Sequence, residues 1–223
     1  MRREIGRVAG LWRYPVKSNG RRAARGGLAV LARPGRGPAL GLRPRGKVRS
    51  GFPWLTIRQR NDLWHYEPFF STPEKPDTSA VLVRSPSGEV HDVTDPELAA
   101  ELGDVRVRKQ DRGIFDTSPL SLITTNSVGS LDVRRFRPNL LVETESAEES
   151  WIGYVLRIKD LRLRVDRRDR RCVIVNIDPD TARRDPSVLR AIAREHDMCL
   201  GVHGSTMAPG HVRLGDPVVV EAT

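Results

Sequence analysis

The chain has 223 residues, enough for one large domain or two small ones, and a formal net charge of +10. Its two cysteines have no paired spacing, and Arg2, Arg3, Arg7 and Arg13 interrupt the first segment, which argues against a disulfide framework and a secretory leader. The apolar runs at 28–32 and 218–220 fall far short of the roughly 20 residues that span a bilayer, so the expectation is a soluble, cytoplasmic protein with reduced thiols and no membrane partner.

The charge is unevenly placed. Residues 1–50 hold 14 Lys or Arg against one acid, Glu4, whereas residues 51–223 hold 24 against 27. Five of the 38 basic residues are lysine, so arginine dominates, through either coding bias or a demand for bidentate phosphate contacts. Nucleic-acid binding is disfavoured, because few aromatics are available for stacking and no recognition motif is present.

Short β-rich runs bounded by Gly and Pro predict an α+β chain that is mainly β. In LWRYPVKS, 11–18, Lys17 follows Pro15 by two residues at a strand end or turn, facing a phosphate or solvent. The Gly-, Pro- and Arg-rich segment 20–51 is either a flexible basic stretch or a strand-turn-strand unit. Residues 74–79 read as a flexible loop. A helix is predicted over 96–102, opened by the capping box Thr94-x-x-Glu97 and stopped by Gly103, with a subdomain boundary at 103–112.

The hydroxyl-rich TTNS, 124–127, follows an apolar strand and admits two readings. It opens a short helix whose amides and hydroxyls face an anion, joined by Arg137 and Asn139, or Thr125 or Asn126 is a plain N-cap and 137–139 a turn before the strand 140–142. Further on, LRLRV at 161–165 alternates like a half-exposed strand, and CVIVNI at 172–177 reads as a buried one, with the arginine cluster on the connection between them. Cys172 is either a thiolate favoured by neighbouring arginines, suited to electrophiles or soft metals, or a small hydrophobe starting that strand. A zinc site lacks any supporting ligand spacing, and the Cys-His pairing suggested by His196 and His203 around Cys199 carries no protease signature. A helix over 186–195, with Asp185 as N-cap and Pro186 at its first position, looks like scaffold. Strands at 199–203, 211–214 and 217–221, punctuated by Ala208-Pro209-Gly210 and Gly215-Asp216, suggest a small barrel or sandwich.

Taken in order, YPVKS, DTSPLSLITTNS, FRPN, RC followed after five residues by DPDT, DPSVLRAIARE, CLGVHG and GDPV resemble the MOSC domain family with its N-terminal β-barrel partner. That family includes the C-terminal domain of molybdenum cofactor sulfurase and the mitochondrial amidoxime-reducing component. The resemblance implies a MOSC-type small β-barrel over 106–223, a packed N-terminal β-rich domain over 1–105, and few short helices. It implies a pterin molybdenum cofactor (molybdopterin) in a cleft, with Cys172 as catalytic metal ligand and Lys17, Thr125, Ser127, Arg137, Asn139 and Arg171 lining the pocket. A soft thiolate suits such a metal, and arginines suit the cofactor's phosphate.

Two departures stand out. Relatives carry a Gly-Asp-Arg motif where this chain reads Pro34-Gly35-Arg36-Gly37-Pro38, so Arg36 is the expected substitute, and Arg170 replaces a small hydroxyl residue of the mitochondrial relative. The resemblance implies an oxidoreductase reducing N-hydroxylated small molecules, or alternatively a non-redox carrier of the cofactor or of sulfur as a Cys172 persulfide. The cysteine count cannot support an iron–sulfur cluster, so electrons are expected from a separate donor protein of ferredoxin, flavin-reductase or cytochrome type.

Overall fold

The computed structural model describes residues 2–20, 22–23, 29–31, 39–45, 53–76, 78–110 and 120–221. In chain order its strands are β1 Arg2–Arg13, β2 Arg22–Ala23, β3 Ala29–Leu31, β4 Ala39–Pro44, β5 Glu67–Phe70, β6 Val81–Arg84, β7 Val90–Asp92, β8 Val105–Gln110, β9 Leu120–Thr124, β10 Leu140–Glu143, β11 Val155–Ile158, β12 Leu161–Arg170, β13 Cys199–Ala208, β14 Gly210–Val212 and β15 Pro217–Glu221. The α-helices are α1 Pro96–Glu101, α2 Thr125–Val128 and α3 Pro186–His196. The chain is mainly β, as the sequence predicts.

Among the described residues, seven strands close a barrel in the order β10-β9-β13-β12-β11-β15-β1 and back to β10. Within it only β9 and β10 run parallel. The alternation in LRLRV is realised in β12, where Leu161, Leu163 and Val165 point into the barrel beside Leu122, Leu140 and Leu156. A one-residue slip would turn that set outward, which fixes the register. β1 carries irregularities between Glu4 and Gly6 and between Val8 and Gly10, and so reaches β15 with its first half and β10 with its second. The expected division near residue 105 therefore does not isolate one sheet from the other, because residues 2–13 complete the barrel that residues 120–221 otherwise build.

A second core lies between β4-β8, β5-β6-β7, α1 and the 3-10 turn Asn61–His65, with Leu42, Ile57, Leu63 and Leu98 fully buried. Val16 and Ile177 join it from the two ends of the sequence. A third cluster packs α3 on the barrel through Val188, Ile192, Leu200, Ile123, Phe136 and Val175.

Three local expectations are corrected. The CVIVNI run is not a strand: Cys172 is extended and Val173–Asn176 form a 3-10 turn. The β12–β13 ladder ends at the Arg170–Cys199 pair, so among the described residues this run has only the isolated Ile177–Arg184 bridge, and a helical turn sends Val175 into the α3 cluster and Ile177 into the N-terminal core. The arginine cluster is correspondingly the end of β12 rather than a connection. The cap of α1 is Asp95, whose carboxylate accepts from the Glu97 amide, while the Thr94 hydroxyl bonds Asp92. The helix at 186–195 appears as α3, with Asp185 accepting from the Ser187 amide.

Candidate functional site

Cys172 heads the turn whose Val175 enters the α3 cluster and whose Ile177 enters the N-terminal core. Its carbonyl accepts from the Val175 amide, so the thiol is held at the head of the turn, half-buried and in no disulfide. Behind it Arg171 turns inward and is almost wholly buried. Its guanidinium donates to the carbonyls of Leu200 and Phe136 (3.0 Å for the latter) and pairs with Asp169 at 2.9 Å. Burial pulls this guanidinium below its usual range, and Asp169 and then Glu148 offset that. The remaining Nη2 is buried without a hydrogen-bond partner among the described residues and lies close to Gly201, where an added Cβ would sit 2.7 Å from it.

Asp169 also takes His203 Nε2 at 3.1 Å and the Ser121 hydroxyl at 3.3 Å. Burial pushes its carboxyl up, but the Arg171 charge and the His203 hydrogen bond outweigh this and hold it below the ordinary carboxylate range.

The TTNS segment is helical, with Thr124 as cap of α2 accepting from the Ser127 amide. Its hydroxyls face the protein. Ser127 Oγ donates to Glu148 at 2.6 Å and Thr124 Oγ1 to the same oxygen at 2.5 Å, while Thr125 exchanges hydrogen bonds with the Thr144 backbone. Glu148, buried under the barrel wall, takes the Thr124 amide at 3.2 Å and the Gly201 amide at 2.7 Å besides. Sequence reasoning missed Glu148: its partners lie over 20 residues away along the chain, and an acid in a polar stretch carries no local sign of burial. Asp169 was missed as well, its carboxylate hidden within the arginine cluster.

Asn139 staples three strands, its carboxamide accepting from the Ser121 amide and donating to the Trp12 carbonyl. Arg137, in the left-handed region at φ 50°, lies over the Tyr14 ring (4.2 Å) and the Trp64 ring (5.4 Å) and donates to the Asn19 carbonyl. The Tyr14 hydroxyl bonds the Pro138 carbonyl, which docks the YPVKS turn against FRPN. Lys17 sits in that turn, its amide on the Leu40 carbonyl. The segments that carry Lys17 and Arg137 are thus docked on each other, while Val16 and Ile177 pack in one core and Arg171 holds the Phe136 carbonyl. Arg36 lies outside the described residues.

A closed seven-stranded barrel, a packed β-rich companion and a half-buried cysteine heading a helical turn define a small β-barrel domain that presents a thiol at the junction of two cores. The family follows from the sequence match: residues 109–219 match the MOSC domain, and through them the chain belongs to the MOSC family. MOSC domains are associated with the molybdenum cofactor. The YuaD protein from Bacillus subtilis is similar in fold at 13% identity and a TM-score of 0.53, over 100% of this chain and 98% of that one. YiiM from Escherichia coli is 16% identical over 52% of this chain, at a TM-score of 0.36. The matched region spans 59% of that YiiM and 53% of a further hypothetical protein, just over half of their lengths. No curated protein matches the chain.

The donor set fits such a cofactor at one point and leaves others occupied. The half-buried Cys172 thiol beside the Arg171 guanidinium is a donor of the soft kind that such a metal would take. The Thr125, Ser127 and Asn139 side chains are turned into internal hydrogen bonds. No helix among the described residues is long and apolar enough to cross a membrane.

Proposed function

We propose that the chain binds the pterin molybdenum cofactor with the Cys172 thiolate as a metal ligand, and that it reduces N-hydroxylated small molecules with electrons from a separate donor protein. The observation that carries this reading is Cys172 itself, half-buried at the head of a helical turn and backed by the Arg171 charge. In this reading Lys17 and Arg137, with Arg36, offer positive charge to the cofactor's phosphate. Arg171, Thr125, Ser127 and Asn139 support the walls, each through the internal bonds it makes. The bound metal supplies the two-electron chemistry that turns N–OH into N–H and water, and the protein supplies ligation and charge.

The test is molybdenum content by elemental analysis in wild type and Cys172→Ser, produced side by side in a host that makes the cofactor. Stoichiometric metal in the wild type, lost in the variant and accompanied by turnover of an amidoxime with a reductant, is the expected outcome. Metal retained in Cys172→Ser removes the thiolate from the coordination sphere and refutes the assignment. Absence of metal from both, with one added sulfur atom on Cys172 by mass, would instead establish the carrier reading.

A further inference from the structure

The turn before Gly20 holds a side chain that no other part of the fold uses. Asn19 is 0% exposed, and both its amide nitrogen and its amide oxygen are buried with no hydrogen-bond partner among the described residues. Each such orphan is costly, because it gave up water and received nothing. Its position is tightly determined. Ser18 before it takes the left-handed conformation at φ 66°. Gly20 after it donates to the Tyr66 carbonyl at 2.8 Å, and a Cβ there would sit 2.4 Å from the Trp64 carbonyl. The Asn19 carbonyl meanwhile accepts from Arg137, whose guanidinium is held over Tyr14 and Trp64. Backbone strain, a glycine required by close approach and an unpaired amide in one short turn mark a place kept for recognition rather than for packing.

We propose that Asn19 reads a ligand: its carboxamide pairs with a planar edge that presents a donor next to an acceptor, as a cyclic amide, a carboxamide or an amidine does. A carboxamide offers that same pair reversed, so one such edge satisfies both orphans at once. Arg137, held over Tyr14 and Trp64 and donating to the Asn19 carbonyl, supplies positive charge beside that turn. Two sources present this edge, the pterin ring of the cofactor and a small amide-like substrate. The inference rests on the proposed binding of the cofactor beside Lys17 and Arg137, and not on the metal.

The experiment uses purified protein with pterin and with benzamide as separate probes, titrated by quenching of tryptophan fluorescence into wild type, Asn19→Leu and Asn19→Ala. Leu has the same branching and heavy-atom count as Asn without its polar atoms, and Ala guards against overpacking. The wild type binds at least one probe, and which one it binds identifies the source of the edge. Both variants weaken that binding by about tenfold or more, the loss expected when a polar recognition group goes unpaired. Thermal melting without probe separates recognition from structure, because removing an unpaired buried amide leaves Tm unchanged or raises it by about 2 °C in Asn19→Leu. Failure of the wild type to bind either probe, undiminished binding in the variants, or a Tm lowered by several degrees in both would each overturn the inference. Molybdenum content is measured separately, so loss of the metal reading leaves these outcomes intact.

Discussion

Replacing Glu148 by Leu removes the common acceptor of two backbone amides, Thr124 and Gly201, and two hydroxyls, Thr124 and Ser127. The hydroxyls can rotate to other acceptors, but the amides cannot, and each orphaned amide costs about 1–3 kcal/mol. The Arg171 charge also loses one of its two carboxylate neighbours. Breaking a buried charged network in this way typically costs about 3–5 kcal/mol, and the two estimates agree. For a chain of this length that lowers Tm by roughly 6–20 °C, or shifts the urea midpoint by about 1.5 M at an unchanged slope of about 2–3 kcal/mol per M. Glu148→Gln keeps one oxygen for the Gly201 amide and turns its NH2 to the hydroxyls, so it orphans only the Thr124 amide and costs about 1–3 kcal/mol. Urea unfolding followed by far-UV circular dichroism checks the order. A Leu variant within about 1 kcal/mol of wild type, or a Gln variant as damaging as Leu, would refute the network as the organiser of this wall.

Two further expectations concern the same region. The Asp169 carboxyl is held low in the folded protein, so its contribution to stability is present above its unfolded value of about 4 and is lost as pH falls through the folded one. Asp169→Asn should therefore be less stable than wild type at pH 7 and lose less on acidification below about pH 4, and parallel acid limbs in Tm against pH would contradict the assignment. Gly201→Ala meets a left-handed backbone at φ 84° and a Cβ 2.7 Å from Arg171 Nη2, with the Leu122 carbonyl at 3.0 Å. A loss of about 2–4 kcal/mol is expected in the same urea assay, and an effect under about 0.5 kcal/mol would show that Arg171 moves freely.

Local patterns exposed much of this architecture. The period-two alternation of 161–165 and the Asp185-Pro186 helix start depend on a few neighbouring residues, and both appear where they were expected. One failure occurred where distant partners decide, another between adjacent residues. Five apolar residues among the six from Cys172 suit a strand as well as a turn, and the choice fell to the end of the β12–β13 ladder at Arg170. Thr94 and Asp95 competed for one cap, and the aspartate, one residue nearer the helix, won. The site shows the same split. Cys172 and its arginines are legible as a thiol near positive charge, but whether Thr125, Ser127 and Asn139 face a ligand or the interior depends on Thr144, Glu148 and Trp12, remote in sequence.

The place of β1 in the barrel has a consequence for how the chain acquires its shape. Arg2 pairs with Glu221 and Arg7 with Pro217, so the closing seam joins segments at opposite ends of the numbering. Contacts of such separation are slow to form, because the entropy of a very long loop must be overcome before any reward arrives. Until residues 217–221 are available, β1 and β11 each present an open edge, the kind of surface through which unfinished β proteins associate wrongly. During synthesis the barrel thus closes later than the β4-β8 and β5-β6-β7 sheets, which draw all their strands from residues 39–110 and can form while it waits.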